Sequence, residues 1–341
     1  MDYEKYREEF ESSLDENGEI NIGQNFSALP SQILYEMDQL AYEEQLAEFS
    51  DQKKAEFNQL VYQNFPAPIA YFYRQTEHGY DDDNHRLQLV RSTWESAIYV
   101  LYALVLGELN YRRFSLADIR IFDNTKIKNT RSGLLSDRLG YKIEAMQKII
   151  EFDRVNNNDL LVSTYLSNDI FEVLKELNHE RNSFSHIAAL SRPEARERFL
   201  ELYPKVSDLL YELAFLERVY LLRFFNAEGG MNKLRFNKYS DHSLQKQNYN
   251  RTLSNEELSS FTPILSDSFI LIELDGEIFN VSPFIHFQIE GQDIKLAYYK
   301  KIDTDNPDEY VFELIGATDR EIRIPKDSLS NCIDQTLDAL T

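Results

Sequence analysis

The chain has 341 residues, of which 43% are hydrophobic, and it contains only 11 glycines and 9 prolines. This composition allows a substantial buried core and excludes a fibrous or disordered chain. The net charge of −22 has the wrong sign for general attraction to phosphates, and the single cysteine excludes an internal disulfide and a multi-cysteine zinc site.

The first residues, MDYEKYREEF, lack the basic and apolar regions of a signal peptide, so we expect a cytosolic protein. The longest apolar run extends from Ala97 to Gly107 and is bracketed by Glu95 and Glu108. A membrane-spanning helix needs roughly 20 apolar residues. We therefore expect a buried core helix here and no contact with a membrane.

The N-terminal region is strongly acidic. Residues 1–60 carry 15 acidic and 4 basic side chains, a net charge of −11, and apolar residues recur at helical spacing from Ile33 to Phe57. The segment from Asn64 to Pro68 then breaks the helical pattern, because each proline lacks an amide hydrogen and restricts the residue before it. We predict an acidic helical extension over residues 1–65.

Four long segments with helical periodicity follow, and they predict a helical bundle over residues 66–226. Ser191 is suited to the N-cap of the last of them, with a proline in its first turn. The segments are Arg86 to Leu109, Leu134 to Phe152, Asp169 to Ile187 and Arg196 to Phe225.

The polar, asparagine-rich stretch of residues 227–257 is interpreted as a linker, and residues 258–341 as a small antiparallel β module. Asp275 and Gly276 form a typical tight-turn pair between two apolar runs. Three hairpins are predicted, formed by residues 269–274 with 277–281, 284–289 with 294–299, and 310–315 with 321–324. The predicted fold class is therefore α+β, mainly helical, with a C-terminal β module.

Two stretches oppose the acidic trend, Lys126 to Lys148 and Arg223 to Arg251. Each contains six Lys or Arg residues and two acids, a local net charge of +4. Such islands could hold RNA phosphates, although solvated faces of helices and loops are the more common explanation of a charge run.

The sequence lacks a glycine-rich phosphate loop, a GxSxG elbow and an HExxH motif. The segment from His78 to His85 could hold a divalent metal ion, but an acidic surface loop between helices explains it equally well. The third long helix contains an anomaly. Its apolar stripe includes Leu174 and Leu177, and Arg181 occupies a position where a core residue is expected. A buried guanidinium must meet a carboxylate, line a wet cleft or face a partner subunit, and a structural ion pair is the simplest alternative to a functional role.

His186 follows five residues later and can exchange a proton near neutral pH. RNA cleavage needs proton transfer at the 2′-hydroxyl and at the leaving 5′-oxygen, and a cation that stabilises the charged phosphorane. Histidine and arginine can supply these functions without a metal ion. In a regular helix Asn182 shares a face with His186, where its amide could orient the imidazole or hold a phosphate oxygen.

The pattern Arg-Asn-x-x-x-His at Arg181, Asn182 and His186, after a long helix, resembles the HEPN superfamily of ribonucleases over about residues 66–226. The resemblance implies an HEPN-like bundle that dimerises so that two Arg and His pairs share one cleft. It also implies metal-independent RNA cleavage without a cofactor, leaving a cyclic phosphate.

The expected function is that of a cytoplasmic endoribonuclease in a toxin or antiviral system, with Arg181 and His186 as catalytic residues, Asn182 as support, and RNA, a second copy and a regulatory protein as partners. The alternative is a catalytically inactive HEPN-like module that assembles a larger complex or binds an effector, in which Arg181 is a structural ion-pair partner.

Overall fold

The fold is α+β, as the sequence predicts. The structure is a computed structural model that describes residues 4–23, 26–117, 119–122, 130–156, 159–184, 190–228, 232–261, 265, 268–290, 293–303, 305–316, 321–329, 337 and 340. The chain forms two compact units, Met1–Leu60 and Val61–Thr341.

The first unit combines helices with a short hairpin. It contains α1 (Arg7–Leu14), α2 (Pro30–Met37), most of α3 (Gln39–Asn64), and the strands β1 (Ile20–Gly23) and β2 (Phe26–Ala28). Phe10, Tyr42 and Leu46 form its small hydrophobic cluster. Helix α3 ends at Asn64 and the next helix begins at Ala67, so the predicted break at the two prolines is confirmed.

The second unit contains the remaining α-helices that the structure describes. They are α4 (Ala67–His78), α5 (Asp83–Arg112), α6 (Thr130–Leu134), α7 (Leu139–Asn156), α8 (Asn168–Phe184), α9 (Arg192–Glu212) and the short α10 (Asn255–Phe261). Asp82 begins α5 by accepting a hydrogen bond from the backbone nitrogen of His85. Ser191 begins α9 in a capping box with Glu194, which confirms the predicted N-cap.

Helix α5 lies at the centre of this unit and packs against α4, α7, α8, α9 and a strand of the larger sheet. By length and composition it is apolar enough to cross a membrane, but 83% of its most apolar window is buried inside the protein. Every residue from Ala97 to Gly107 is buried, as predicted for a core helix. Gly107 is needed at one close approach, because a Cβ there would lie 2.8 Å from Cγ1 of Val281.

The strands of the second unit form two antiparallel sheets. The larger has the order β5-β4-β3-β6-β7 and the smaller β11-β10-β9-β8. Their bounds are β3 (Tyr220–Glu228), β4 (Lys233–Tyr239), β5 (Gln247–Thr252), β6 (Ile270–Leu274), β7 (Glu277–Asn280), β8 (Ile285–Glu290), β9 (Asp293–Ile302), β10 (Glu309–Leu314) and β11 (Glu321–Pro325). The three predicted hairpins are confirmed, and Asp275 and Gly276 have the positive φ angles, 49° and 87°, that their tight turn requires.

Two predictions about the middle of the chain are wrong. The helix predicted to run to Phe225 ends at Glu212, and a 3-10 turn leads into the central strand β3. Periodicity cannot distinguish a short apolar run in a strand from one in a helix, and Leu221 and Leu222 are both buried because β3 is covered on both faces at this point.

The predicted linker of residues 227–257 contains strands β4 and β5. Asparagine is disfavoured in strands, but cross-strand pairing and burial of Leu234 and Phe236 outweigh that preference.

Candidate functional site

The candidate site is a cavity of about 290 Å³ beside the last turns of α8. Its lining residues are Arg138, Leu139, Gly140, Tyr141, Asn178 and Arg181. Among the groups that line it are two guanidiniums, an amide and a phenol. Such a set can bind a group that carries negative charge and several hydrogen-bond acceptors.

Arg181 reaches the cavity from the apolar side of α8. The predicted stripe is confirmed at Ile170, Leu174 and Leu177, which are at most 2% exposed. Arg181 continues this face but remains 27% exposed. Because it is neither fully buried nor freely solvated, its charge is available at the cavity wall.

Arg181 also makes an ion pair with α5. Its Nε donates to Oε1 of Glu95 at 2.5 Å, and the carboxylate is 14% exposed. Arg91, one turn earlier on α5, donates to the same oxygen at 2.8 Å. Two of the three environments predicted for this arginine are thus present together, a carboxylate partner and a cavity.

Arg138 comes from a different element, the connection that precedes α7. Its NH1 donates to the hydroxyl of Tyr141 at 3.2 Å, and the side chain is exposed. Asn178 lies three residues before Arg181, which places both on one face of α8. A Cβ on Gly140 would lie 3.3 Å from the amide nitrogen of Asn178, so the glycine leaves room for the amide.

Two stacked tyrosine rings lie next to Glu95. Tyr99, one turn further along α5, stacks on Tyr298 with ring centroids 4.7 Å apart. Burial raises the pKa of the Tyr99 hydroxyl far above its ordinary value, and the charge of Glu95 raises it further. Tyr99 is therefore neutral and cannot serve as a base at neutral pH.

Lys142, the residue after Tyr141, is buried in a cage of three tyrosine rings. Its Nζ lies 4.6 Å from the ring centroid of Tyr102, and 5.8 Å and 5.6 Å from those of Tyr99 and Tyr299. The ammonium donates to the carbonyl oxygen of Ser136 at 2.9 Å. Burial lowers the pKa of Lys142 to about 7, although the charge of Asp137 raises it.

The structure does not describe the side chains of the other two predicted site residues, Asn182 and His186. Asn182 belongs to α8, but its side chain is outside the part that the structure describes, and His186 lies outside the described residues altogether. Their roles stay predictions. Among the residues that the structure describes, no group of three or more His, Cys, Asp or Glu side chains could hold a metal ion.

Sequence reasoning did not identify Arg138, Asn178 or Glu95 as part of the site. Arg138 was visible only as one cation of the first basic island. Asn178 could have been found from its helical spacing to Arg181. Glu95 could not, since 86 positions separate it from the arginine that it binds.

No family model, curated protein or solved structure matches this chain. The HEPN resemblance thus rests on the residues that carry the motif, and the site has to be interpreted from its own geometry.

Proposed function

We propose that this protein is a metal-independent endoribonuclease of the HEPN type, with an HEPN-like helical bundle formed by α4 to α9. One observation carries the proposal: Arg181 and Arg138, held by different elements, line one cavity together with an amide. Paired guanidiniums can bind the two unesterified oxygens of a phosphodiester in a defined orientation. The volumes of ligand pockets are commonly about 300 Å³ or larger. A cavity of about 290 Å³ is therefore large enough for a phosphate with part of a nucleotide.

The proposed reaction is an internal transesterification. The 2′-oxygen bonds to the adjacent phosphorus as the bond from phosphorus to the 5′-oxygen breaks. One group accepts the 2′ proton, another protonates the leaving oxygen, and the products are a 2′,3′-cyclic phosphate and a 5′-hydroxyl. His186 is assigned proton transfer, Arg181 stabilises the charged phosphorane, and Asn182 supports His186.

The Glu95 contact is compatible with this role. It is made through Nε of Arg181, so it does not use the two terminal nitrogens, which are the atoms suited to a phosphate. A carboxylate that fixes a guanidinium reduces the entropy that the side chain loses when it binds an anion. Glu95 is in this view a positioning residue for Arg181.

A second copy of the chain completes the proposal, since the resemblance implies two Arg and His pairs in one cleft. We assign the activity to the cytosol, in a toxin or antiviral defence system, with RNA as the substrate and a protein partner as regulator.

The test is cleavage of total RNA and tRNA by the purified full-length protein in excess chelator. His186→Ala and Arg181→Ala should each slow cleavage by about 10²-fold or more, since general acid and base catalysis is typically worth that much. Arg138→Ala should mainly raise KM. Lys148→Ala is the matched control, because Lys148 belongs to the same basic island but pairs with Glu151.

Parental rates in both the Arg181 and His186 variants would refute the site. Loss of all cleavage in chelator would refute the metal-independent chemistry. Analysis of the product ends adds a separate criterion, since the reaction requires a cyclic phosphate.

The cluster of Glu95, Arg181 and Arg91 favours a second candidate, a non-catalytic HEPN-like module for assembly or effector binding. Here the arginines balance a largely buried carboxylate. Arg181→Ala would then lower the free energy of unfolding by several kcal/mol, because it leaves that carboxylate without one of its partners. RNA cleavage by the parent and by this variant separates the two functions: cleavage that Arg181→Ala abolishes while the variant remains folded supports the enzyme, and loss of stability with no RNA cleavage by the parent supports the module.

A further inference from the structure

The outer face of the larger sheet carries a second cavity, distinct in composition from the first. It measures about 170 Å³ and is lined by Phe225, Arg235, Phe236, Asn248 and Asn250. These residues belong to the neighbouring strands β3, β4 and β5. Except for Phe236, which is in the sheet's hydrophobic core, all have exposed side chains.

Phe225 owes its exposure to an irregularity in β3. The register with β4 pairs Phe224 with Phe236 and Asn226 with Arg235, so Phe225 is the extra residue of a β-bulge. A bulge redirects a side chain that regular alternation would place differently. The Phe225 side chain is 63% exposed, which is unusual for a phenylalanine with a hydrophobic core available on the opposite face.

Polar groups surround this ring in fixed register. Arg235 and Asn250 are cross-strand partners, and Asn248 is two positions before Asn250 on the same face of β5. The site therefore offers an exposed aromatic face, a guanidinium, and two side-chain amides that can both donate and accept hydrogen bonds.

This combination matches the chemistry of an unpaired nucleotide. A base can stack on an aromatic ring, its edge can exchange hydrogen bonds with amides, and its phosphate can contact a cation. Arg235 supplies a positive charge on this face, where it lines the cavity. Paired bases in a duplex are stacked on each other and cannot reach the ring.

We infer that the outer face of β3, β4 and β5 binds single-stranded RNA, with a base stacked on Phe225 and contacted by Asn248, Asn250 or Arg235. The inference deepens the proposed function and rests on it only in the choice of RNA as the nucleic acid. It assigns substrate selection to a sheet surface separate from the residues that cut.

The experiment measures binding without cleavage. The probe is a fluorescent 2′-O-methyl oligonucleotide of about 12 nucleotides, within the range that single-strand sites occupy, and it lacks the 2′-hydroxyl nucleophile. Fluorescence anisotropy is followed for the full-length protein and for Phe225→Ala, Phe225→Trp, Arg235→Ala and Leu200→Ala. Leu200 lies on α9 and its side chain is 61% exposed, so its replacement controls for the loss of an exposed hydrophobic side chain.

Phe225→Ala should weaken binding by about 5-fold or more, the range for loss of one aromatic-base stack, while Phe225→Trp and Leu200→Ala stay within about 2-fold of the parent. Arg235→Ala should reduce the slope of log affinity against log salt concentration by about 0.7, the value for one phosphate contact on a single strand. A duplex of the same sequence should bind more weakly.

Equal affinity of the parent and Phe225→Ala, or no binding by the parent, overturns the inference. Binding that depends on Phe225 in a protein that cuts no RNA overturns the nuclease and leaves this surface standing. RNA cleavage by the parent that is unchanged in Phe225→Ala overturns the role of this surface in substrate binding and leaves the nuclease proposal standing.

Discussion

Replacement of Lys142 tests the physical account of the helical core. Lys142 is 1% exposed, three tyrosine rings and the Ser136 carbonyl surround its ammonium, and the charge of Asp137 raises its pKa. Its pKa is about 7 in the folded protein, against 10.5 for an unburied lysine. Between these two values the unfolded chain holds a proton that the folded chain has lost.

The sign of the pH dependence follows from that difference. Stability rises with pH wherever the unfolded state binds more protons, so the free energy of unfolding should increase between pH 7 and pH 10.5. Each pKa unit is worth about 1.4 kcal/mol, which gives a total on the order of 5 kcal/mol over the window. Lys142→Met removes the titration, so the variant should lack this rise.

Urea unfolding of the parent and of Lys142→Met at pH 7, 8 and 9 measures the effect. The free energy of unfolding of the parent, relative to that of Lys142→Met, should increase by about 1 kcal/mol for each pH unit. Lys148→Met on the same helix is the control, because its side chain is 38% exposed. If the difference in the free energy of unfolding between the parent and Lys142→Met stays constant from pH 7 to pH 9, burial does not lower the pKa of this lysine.

Three further substitutions test the packing around α5 and in the smaller sheet. Glu108 is fully buried and accepts hydrogen bonds from two backbone amides and an arginine, so Glu108→Gln should lower the free energy of unfolding in urea by roughly 3 kcal/mol. Gly107→Ala should lower the Tm, although alanine is favoured in helices by about 1 kcal/mol, because its Cβ would meet Val281; a higher Tm would contradict the close approach of helix and strand. Burial lowers the pKa of His286 to about 4, so stability should fall by roughly 2 kcal/mol from pH 7 to pH 5, and His286→Gln should show no such loss in the same titration.

The sequence allowed the long helices and the C-terminal hairpins to be predicted because their signals are local. Helices α5 and α8 follow from apolar spacing, and the turn at Asp275 and Gly276 follows from the φ angles that these residues tolerate. Strand β3 could not be predicted, because an apolar stretch of this length fits either type of element until its partners are known. Sheet membership depends on contacts between distant segments, which short-range patterns do not encode.

The candidate site was predictable in part for the same reason. Arg181 interrupts an apolar stripe, and a single helix is enough to show that. Its partner Glu95 and the second arginine of the cavity, Arg138, are brought to it by packing between helices. A motif can thus indicate which residue is unusual, whereas the groups that surround it depend on the tertiary structure.

The central position of β3 has a consequence for how the protein can be divided. This strand lies between β4 and β6, so a protein shortened after residue 226 would retain most of it and lose both neighbours. Two rows of backbone amides and carbonyls would then be left open, which is a template for aggregation. Attempts to express the helical region alone with a cut at residue 226 should therefore yield insoluble material.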